Sequence, residues 1–340
     1  MSTSVYSALI VGCGNIGGGF DQARPDWADS ALTHAGAYSH HPGFHLQACV
    51  DPDAQRRQSF ADFWSVPEAH EDMSTLLEQG MRFDVVSICS PTALHEAHLL
   101  AALGCSPRVI FCEKPLAPSL EASQRMIKAC EKQGVTLLAN YSRRWDPSVN
   151  SFFNAIRSGQ HGAIRSVVGY YNKGILNNGV HMIDLLRRLL GDLVIERVYL
   201  PAQELEASDP TPAVMLRSDD GRVPVLLTPG MAQDYALFEL ELICQAATVR
   251  MRRGGLDWQV RQAVASRTFA GYRHLEQEAV HQGEYGQCMH QAIAEIHAIL
   301  SQACTPTFSA WDAFETQKMC QQILDRLHLN DITTQKTITS

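Results

Sequence analysis

Residues 8–20 read ALIVGCGNIGGGF, and this stretch decides the fold of the amino-terminal part of the chain. A short apolar run, typical of a buried strand, leads directly into Gly12, Gly14 and Gly17, which fit the spacing G-x-G-x-x-G. The first glycine permits a sharp turn, the second lets bare backbone approach a pyrophosphate, and the third allows a helix to pack closely on the strand. The N-terminus of that helix would attract the phosphates. The stretch predicts a dinucleotide-binding βαβ unit, with a glycine turn that holds no ligand as the alternative. The residues that we expect to contact the dinucleotide here are Gly12, Gly14, Asn15, Ile16 and Gly17.

The rest of the amino-terminal part alternates strand-like and helix-like segments. Several of the strand-like runs are apolar throughout, as expected for parallel strands that are covered on both faces. This alternation predicts a doubly wound parallel sheet of the Rossmann type, in the α/β class. The strand-like runs are residues 7–12, 45–51, 83–90, 108–114 and 135–141, and the clearest helical segments are residues 51–64 and 92–104.

The pattern changes after about residue 142. Closely spaced strand-like runs between a few helical segments predict an α+β domain with an open, mostly antiparallel sheet. We therefore expect a dinucleotide-binding domain over residues 1–142, a substrate-binding and dimerisation domain over residues 143–330, and a polar tail over residues 331–340. The strand-like runs are residues 163–172, 195–200, 223–228, 235–244 and 247–253, and the helical segments are residues 148–159, 181–191, 286–302 and 311–328.

Composition argues against several classes of protein. A length of 340 residues suggests about two domains, and a net charge of −8 argues against a nucleic-acid partner. No apolar run reaches the roughly 20 residues of a membrane helix, and the amino terminus lacks the pattern of a signal peptide. The ten cysteines form no C-x-x-C pair and are typical of buried thiols in a reducing compartment, so we expect a cytoplasmic protein. Of the 14 histidines, His40 and His41 are adjacent and would diverge on a helix, and we expect no metal site.

Asp51 ends the second strand-like run, where a carboxylate would accept hydrogen bonds from a ribose diol. A 2′-phosphate would meet like charge there, so we expect NAD as the cofactor. Arg56 and Arg57 follow closely and keep NADP open. Asp51 comes later than the roughly 20 residues after the glycine motif at which such an acid is usual. The excess lies in residues 21–36, where Pro25 interrupts any helix; this insertion either overhangs the cofactor or is a surface loop without a role.

Four further motifs, in this order, resemble those of the Gfo/Idh/MocA oxidoreductase family, which includes glucose–fructose oxidoreductase and inositol dehydrogenase. The resemblance extends from residue 7 to about residue 191, and it implies the two-domain fold predicted above together with a nicotinamide cofactor. The motifs are CSPTALHEAHLLAALG at residues 89–104, FCEKPL at 111–116, NYSRRWDP at 140–147 and NNGVHMIDLLRRLLG at 177–191.

The resemblance implies roles for particular positions. Glu113, Lys114 and Pro115 match the family's EKP motif, whose lysine lies beside the nicotinamide and substrate, and whose lysine–proline peptide is often cis. His181 and Asp184 match the H-x-x-D of a helix that enters the active site. The loop expected to pack on the cofactor comprises Ser90, Pro91, Thr92 and His95.

The chemistry that this implies is hydride transfer between nicotinamide and a secondary alcohol or ketone. A base must take the hydroxyl proton, and the imidazole of His181 has a suitable ordinary pKa. Lys114 would donate a hydrogen bond to the same oxygen and stabilise its alkoxide character. This chemistry requires the side chains of Lys114 and His181 to converge beside the reactive carbon. Asp184 either orients the site or serves only the electrostatics of the helix N-terminus.

Asn177 departs from the family pattern, because many relatives carry aspartate four residues before the histidine. An amide cannot act as a base, although it can still bond a sugar hydroxyl. Either His181 works with Lys114 alone, or the reaction is slow or altered. Asn177 is nevertheless counted with the catalytic residues.

The residues expected near the substrate include several cations. Tyr141, Arg143, Arg144, Tyr171, Asn172 and Lys173 come from segments that border the cleft in relatives. Arginine suits carboxylate or phosphate, which suggests a sugar acid or a nucleotide-linked sugar; cations that face solvent or an acidic neighbour are the alternative. The substrate contacts that we expect are Tyr141, Arg144, Lys173, Asn178 and Asp184.

Two other functions stay open at this point. One is a dinucleotide-binding sensor or scaffold without turnover, which Asn177 favours and which an intact Lys114 and His181 oppose. The other is a reductase of a carbonyl or imine outside sugar metabolism. The partners that we expect are a small-molecule substrate and a second copy of the chain, as a homodimer or homotetramer built on the second-domain sheet.

Overall fold

The computed structural model describes residues 5–26, 28–204, 207–302 and 304–338, with side chains through residue 327. The chain divides into two units. The first takes the chain up to Asp146 together with Gly286–Glu315, and the second takes Pro147–Tyr285 and the chain from Thr316 onward. The division differs from the predicted one in two ways. The boundary is four residues later than 142, and Gly286–Glu315, which we expected in the second domain, belongs to the first unit. No helix among the described residues is long and apolar enough to cross a membrane.

Ten helices and fifteen strands are found in the described residues. The strands are β1 (Tyr6–Val11), β2 (Phe44–Val50), β3 (Glu68–His70), β4 (Val85–Ile88), β5 (Val109–Cys112), β6 (Thr136–Ala139), β7 (Ile164–Tyr171), β8 (Leu193–Tyr199), β9 (Ala213–Ser218), β10 (Pro224–Pro229), β11 (Phe238–Cys244), β12 (Ala247–Arg252), β13 (Asp257–Ala265), β14 (Arg273–Leu275) and β15 (Ala279–Gln282). The helices are α1 (Phe20–Gln22), α2 (His34–His40), α3 (Ala54–Trp64), α4 (Met73–Glu78), α5 (His95–Leu103), α6 (Leu120–Gln133), α7 (Pro147–Arg157), α8 (Val180–Leu190), α9 (Cys288–Gln302) and α10 (Ala310–Ile338).

The first unit is built on a parallel sheet with strand order β3-β2-β1-β4-β5-β6. Strands β4 and β5 are buried along their whole length, which explains why their sequences are apolar rather than alternating. This order is that of a doubly wound Rossmann sheet, so the predicted fold of the amino-terminal part is confirmed. All five strands predicted there exist. Strand β3 was missed because its three residues are polar or small and carry no hydrophobic signal.

Helix α9 packs in the first unit, although we expected it in the second domain. Trp145 donates from Nε1 to Glu295 at 2.6 Å, and Arg108 donates to the carbonyl of Leu300 at 2.6 Å. The buried residues Met289, Ile293 and Ile296 join the same hydrophobic core as β1 and α2. The segment therefore returns to the Rossmann unit after the chain has completed the second sheet.

The second unit is built on a nine-stranded sheet in the order β14-β13-β12-β11-β7-β10-β9-β8, with β15 paired to β13. Strands β7 and β10 are parallel and the other pairs are antiparallel, so the predicted open, mostly antiparallel sheet is confirmed. Helix α7 covers part of it, with the ring of Phe152 stacked on Trp258 at 4.3 Å between centroids. Helix α10 continues through Ile338, where we expected a polar tail over residues 331–340.

Candidate active site

The glycine loop after β1 has the geometry that its sequence predicts. Gly12 has φ +102°, and a Cβ atom there would lie 2.6 Å from the amide nitrogen of Ser90. A Cβ atom on Gly17 would lie 2.3 Å from the carbonyl oxygen of Gly12. At Gly14, by contrast, no described atom lies within 4 Å of the corresponding position. Two glycines are required by packing, and Gly14 presents bare backbone to open space, as a pyrophosphate requires. Asn15 and Ile16 follow in one turn of π-helix, Asn15–Gly19.

Asp51 follows β2 and is 3% exposed. Its Oδ2 accepts from the amide of Cys13 at 2.9 Å and its Oδ1 from the amide of Asp53 at 3.0 Å. The half-exposed guanidinium of Arg56 lies 3.3 Å away, and Arg57 donates to the Asp51 carbonyl. The carboxylate thus braces the glycine loop. Because Arg56 offsets part of its charge, the geometry leaves both NAD and NADP open.

The side chain of His95 holds the loop after β4. Both of its ring nitrogens lie against backbone carbonyl oxygens, so the ring is not available to a ligand. His95 is 1% exposed. Its Nε2 lies 2.8 Å from the carbonyl oxygen of Ser90, and its Nδ1 lies 3.0 Å from that of Pro115 and 3.2 Å from that of Leu116. The imidazole therefore joins the Ser90 loop to the segment after β5, which makes it a support of the predicted cofactor loop. Pro91 and Thr92, between these ends, are exposed and partly exposed.

Lys114 follows β5, and its peptide bond to Pro115 is cis, as the resemblance implied. The lysine is partly exposed. The neighbouring carboxylate of Glu113 accepts from His34 Nε2 at 3.0 Å and from Asn140 Nδ2 at 2.6 Å. Burial raises the pKa of this carboxyl, but these two contacts and the charge of Lys114 hold the pKa below its ordinary value. Glu113 is therefore an anion beside the lysine.

No motif in the sequence indicated a role for His34. It begins α2 and is fully buried, with its ring 4.6 Å from that of Phe111 between centroids. The available signal was its setting: Ala35, Gly36 and Ala37 follow it, and a run of such small residues indicates a helix that packs closely on a sheet.

Asn177 lies in a short π-helical turn, Gly174–Gly179, in the second unit. The exposed Asn177 donates its amide to Oδ2 of Asp209, and Leu176 donates to Oδ1, both at 2.9 Å. A Cβ atom on Gly174 would lie 2.0 Å from Asp209 Oδ2, so only glycine fits there. Asp209, which no motif signalled, therefore sets the backbone that carries Asn177. Lys173, just before this turn, is exposed and has φ +64°.

His181 and Asp184 lie on α8 but in different environments. His181 is partly exposed in the first turn. Asp184 is 1% exposed, and its charge contributes, after burial and Asp209, to raising the pKa of the Cys320 thiol. Asp184 therefore faces the interior of the second unit, which favours a supporting role over direct contact with a substrate.

Most of the residues expected near an anionic substrate are packed inside the protein. Tyr141 is 1% exposed and meets the ring of Phe308 edge-on at 5.7 Å. The guanidinium of Arg144 lies over the same ring at 3.5 Å. Asn178 donates to the carbonyl of Asn172 at 3.0 Å. Of the three expected cations, Lys173 is exposed, Arg144 is partly exposed and Arg143 is buried, and their contact with a substrate stays a prediction. Arg143, Tyr171 and Asn172 are also buried.

The histidines form two ring pairs between α2 and α9. His40 lies 4.3 Å from His290 and His41 lies 4.8 Å from His297, between ring centroids. Within the described residues, no group of three or more His, Cys, Asp or Glu side chains is placed to hold a metal ion.

Comparison with known proteins matches residues 7–141 to the family described as "Oxidoreductase family, NAD-binding Rossmann fold". The uncharacterized oxidoreductase YrbE of Bacillus subtilis is 27% identical over 205 residues, which cover 55% of this chain and 54% of that protein. The D-apiose dehydrogenase of Paraburkholderia graminis is 25% identical over 205 residues, covering 55% of this chain and 50% of that protein. The chain thus spans about half the length of the curated relatives that it matches.

The fold of the whole chain is similar to solved structures. KijD10, a 3-ketoreductase from Actinomadura kijaniata in complex with NADP and TDP-benzene, superposes with a TM-score of 0.73 at 18% identity, covering 94% of this chain and 96% of that chain. The sheet order, the glycine loop and the match over residues 7–141 agree with one another. Residues 7–141 thus match the model of an oxidoreductase family with an NAD-binding Rossmann fold, and the sheet of this unit has the strand order of that fold.

Proposed function

We propose that the protein is an NAD(P)-dependent oxidoreductase that transfers a hydride between nicotinamide and a secondary alcohol or ketone of a sugar, a sugar acid or a nucleotide-linked sugar. The observation that carries the proposal lies at one edge of the first sheet. Parallel strands bring Gly14, Asp51 and Lys114 to the same carboxyl edge, where ligands of such sheets bind. The name of D-apiose dehydrogenase supports a sugar substrate, and the description of KijD10 as a 3-ketoreductase supports chemistry at a ketone.

The bound nicotinamide supplies or accepts the hydride. Lys114 donates a hydrogen bond to the substrate oxygen and stabilises its negative charge as the hydroxyl proton leaves. His181 accepts that proton at its imidazole, which is suited to general-base catalysis near neutral pH. Asn177 offers an amide to a substrate hydroxyl rather than a second base.

The carboxylate of Asp51 supports NAD as the preferred dinucleotide. Its two oxygens already accept main-chain hydrogen bonds, and a further 2′-phosphate would face this buried negative charge. Arg56, about half exposed, is the group that would accommodate such a phosphate. Titrations with NADH and NADPH decide between them. We expect tighter binding of NADH, and an Asp51→Ser variant should narrow the difference.

The second candidate function is a dinucleotide-binding sensor without turnover. Asn177 favours it, because the position lacks the carboxylate found in many relatives. Retention of Lys114 and His181 favours the enzyme, since neither is needed by a protein that only binds the dinucleotide. Turnover by the wild-type protein decides between the two, and a reductase that needs only Lys114 and His181 should keep its activity in an Asn177→Asp variant.

We also propose that the second sheet forms a homodimer or homotetramer. Met215 on β9 and Leu226 on β10 are register neighbours and are 47% and 42% exposed. Tyr199, near the edge of the same sheet, is 68% exposed. Exposed apolar groups on adjacent strands are typical of an interface. Sedimentation of the wild type should show a dimer or larger species at micromolar concentration, and Leu226→Glu should favour the monomer; a wild-type monomer would contradict this.

A cytoplasmic location stays a prediction.

The test of the activity is a spectrophotometric assay of the purified protein with NADH or NAD and a panel of sugars, sugar acids and nucleotide-linked sugars. NADH fluorescence measures binding in the absence of a substrate. We expect saturable binding and a change in NADH absorbance with at least one class of substrate. Binding without turnover across the panel would favour the sensor, and absence of binding would contradict both candidates.

A further inference from the structure

A network of buried polar side chains leads to Glu113, the first residue of the EKP segment. The hydroxyl of Tyr38 lies 3.0 Å from Ser87 Oγ, which lies 3.0 Å from His34 Nδ1. His34 Nε2 in turn lies 3.0 Å from Oε1 of Glu113. Tyr38, Ser87 and His34 have no measurable exposure. The network links α2 and β4 to the end of β5. Its last member, Glu113, directly precedes Lys114.

The ionised carboxylate of Glu113 fixes the proton at one of these contacts. An ionised Glu113 only accepts, so Nε2 of His34 carries the hydrogen in that contact. Nδ1 of His34 shares the next hydrogen bond with the hydroxyl of Ser87, and the hydroxyls of Ser87 and Tyr38 share the one after it. The network ends at the buried hydroxyl of Tyr38. It therefore holds Glu113 in place and does not lead protons from Tyr38 to solvent.

The position of His34 is set by the insertion that precedes it. Asp21 is fully buried, and its carboxylate accepts from the amides of Leu32 and Thr33 and from Thr33 Oγ1 at 2.6 Å. Thr33 caps α2 by accepting from the amide of Gly36 at 3.1 Å. The insertion thus returns to the end of α1, and His34 is the first residue after that anchor. This gives the predicted insertion over residues 21–36 a structural role.

We propose that His34 is a positioning residue for Lys114: by donating to Glu113 it fixes the carboxylate of the residue that directly precedes the lysine, and this anion keeps the ammonium group charged and oriented. Loss of the donor would leave a desolvated carboxylate with one fewer hydrogen bond. The side chain would then rearrange or take up a proton, and Lys114 would lose its anionic neighbour. The inference rests on the proposed function for its effect on turnover, but its effect on the lysine does not require a substrate.

Lys114, Cys89 and Cys112 are titratable groups that interact electrostatically with Glu113. Lys114 lowers the pKa of Glu113 by its charge. The thiols of Cys89 and Cys112 are buried, and burial followed by the charge of Glu113 raises the pKa of each. Because these thiols remain neutral near physiological pH, the lysine is the group whose titration reports on the carboxylate.

The experiment compares four variants of the full-length protein: His34→Leu, which removes the donor; His34→Gln, which replaces Nε2–H with an amide; Glu113→Gln; and the double variant His34→Leu/Glu113→Gln. Tyr38→Phe is the packing control, since it removes the hydroxyl at the far end of the network and leaves the contact between His34 and Glu113 intact. His45→Gln, exposed on β2, is the neutral histidine control. Circular dichroism and melting temperature identify variants that fail to fold.

The first readout is the rate at which a limiting amine-reactive ester modifies Lys114 as pH is varied, measured by mass spectrometry. The neutral amine reacts, so His34→Leu and Glu113→Gln should raise the rate about three- to tenfold at a fixed mildly alkaline pH, as expected for a shift of about half to one pH unit. His34→Gln, Tyr38→Phe and His45→Gln should titrate like the wild type. The double variant should match Glu113→Gln alone, because His34 acts through the carboxylate.

The second readout is the pH profile of kcat with a substrate found active. The alkaline limb should move to lower pH in His34→Leu and return in His34→Gln, with little change in NADH affinity. Wild-type titration of Lys114 in a folded His34→Leu variant would overturn the inference, and so would additive effects in the double variant. Should no substrate turn over, the modification rates still decide the matter, so failure of the proposed function and failure of this inference are distinguishable.

Discussion

Gly12 in the loop after β1 lies so close to Ser90 in the loop after β4 that a Cβ atom on residue 12 would be 2.6 Å from the Ser90 amide nitrogen. Gly14, two residues later, faces open space at the same edge of the sheet. One glycine is thus explained by packing within the protein, whereas the other is explained by the ligand that the loop would hold.

This contrast gives a matched pair of variants. Gly12→Ala introduces both the close contact and an unfavourable φ of +102°, and we expect it to destabilise the protein by about 3 kcal/mol or more. Gly14→Ala meets no described atom and has an allowed φ of −77°, so the fold should be retained while NADH affinity falls at least about tenfold. Thermal melting and NADH fluorescence measure the two effects. Equal loss of stability in both variants would contradict the assignment.

Asp21 should contribute strongly to stability although it lies in no recognised motif. Asp21→Ala leaves the amides of Leu32 and Thr33 without their buried acceptor, and we expect a loss of about 3 kcal/mol. Asp26→Ala is the control, because Asp26 is an exposed partner of Arg24 and an exposed ion pair contributes at most about 1 kcal/mol. Urea unfolding measures both. A stable Asp21→Ala variant would show that the insertion is not anchored there.

The histidine pairs between α2 and α9 should make the first unit sensitive to acid. Burial, then the neighbouring His297 and His40, lower the pKa of His41, and burial and then His40 lower that of His290. At pH values between the lowered pKa of these histidines in the folded protein and their pKa of about 6.5 in the unfolded chain, the unfolded chain binds more protons than the folded protein. Stability from these groups is therefore present above about pH 6.5 and is lost as pH falls below it.

The melting temperature should accordingly fall as pH is lowered from about 7.5 to about 5.5. The His41→Gln/His290→Gln variant should show a smaller fall, whereas a variant in the exposed His45 and His274, both changed to glutamine, should behave like the wild type. Identical pH dependence in all three proteins would show that other groups are responsible.

Sequence patterns were most informative where a residue's environment is local. Strands β1, β4 and β5 were predicted because burial on both faces requires continuous apolar runs, and the glycine loop because three positions share one turn. Helix α9 was predicted as a helix but assigned to the wrong unit, since its apolar face does not specify the sheet on which it packs.

The candidate site shows the same distinction. Lys114 and its cis peptide bond were found through a short motif, whereas His34 and Asp209 act on residues more than 30 positions away. No local pattern connects His34 to Glu113, because the connection exists only once α2 has packed on the sheet. Tyr141 and Arg144 were expected at the substrate, and their packing against Phe308 likewise depends on the segment that returns to the first unit.

The most direct test of the central claim is single-turnover hydride transfer, followed by NADH absorbance, in wild type and Lys114→Ala under saturating cofactor. In the proposed mechanism the lysine stabilises charge on the reacting oxygen, and removing such a donor costs about 10²- to 10³-fold in rate. We predict a loss of that size with NADH affinity changed less than about threefold and with His45→Gln unaffected. Transfer at the wild-type rate in a folded Lys114→Ala protein would contradict the account.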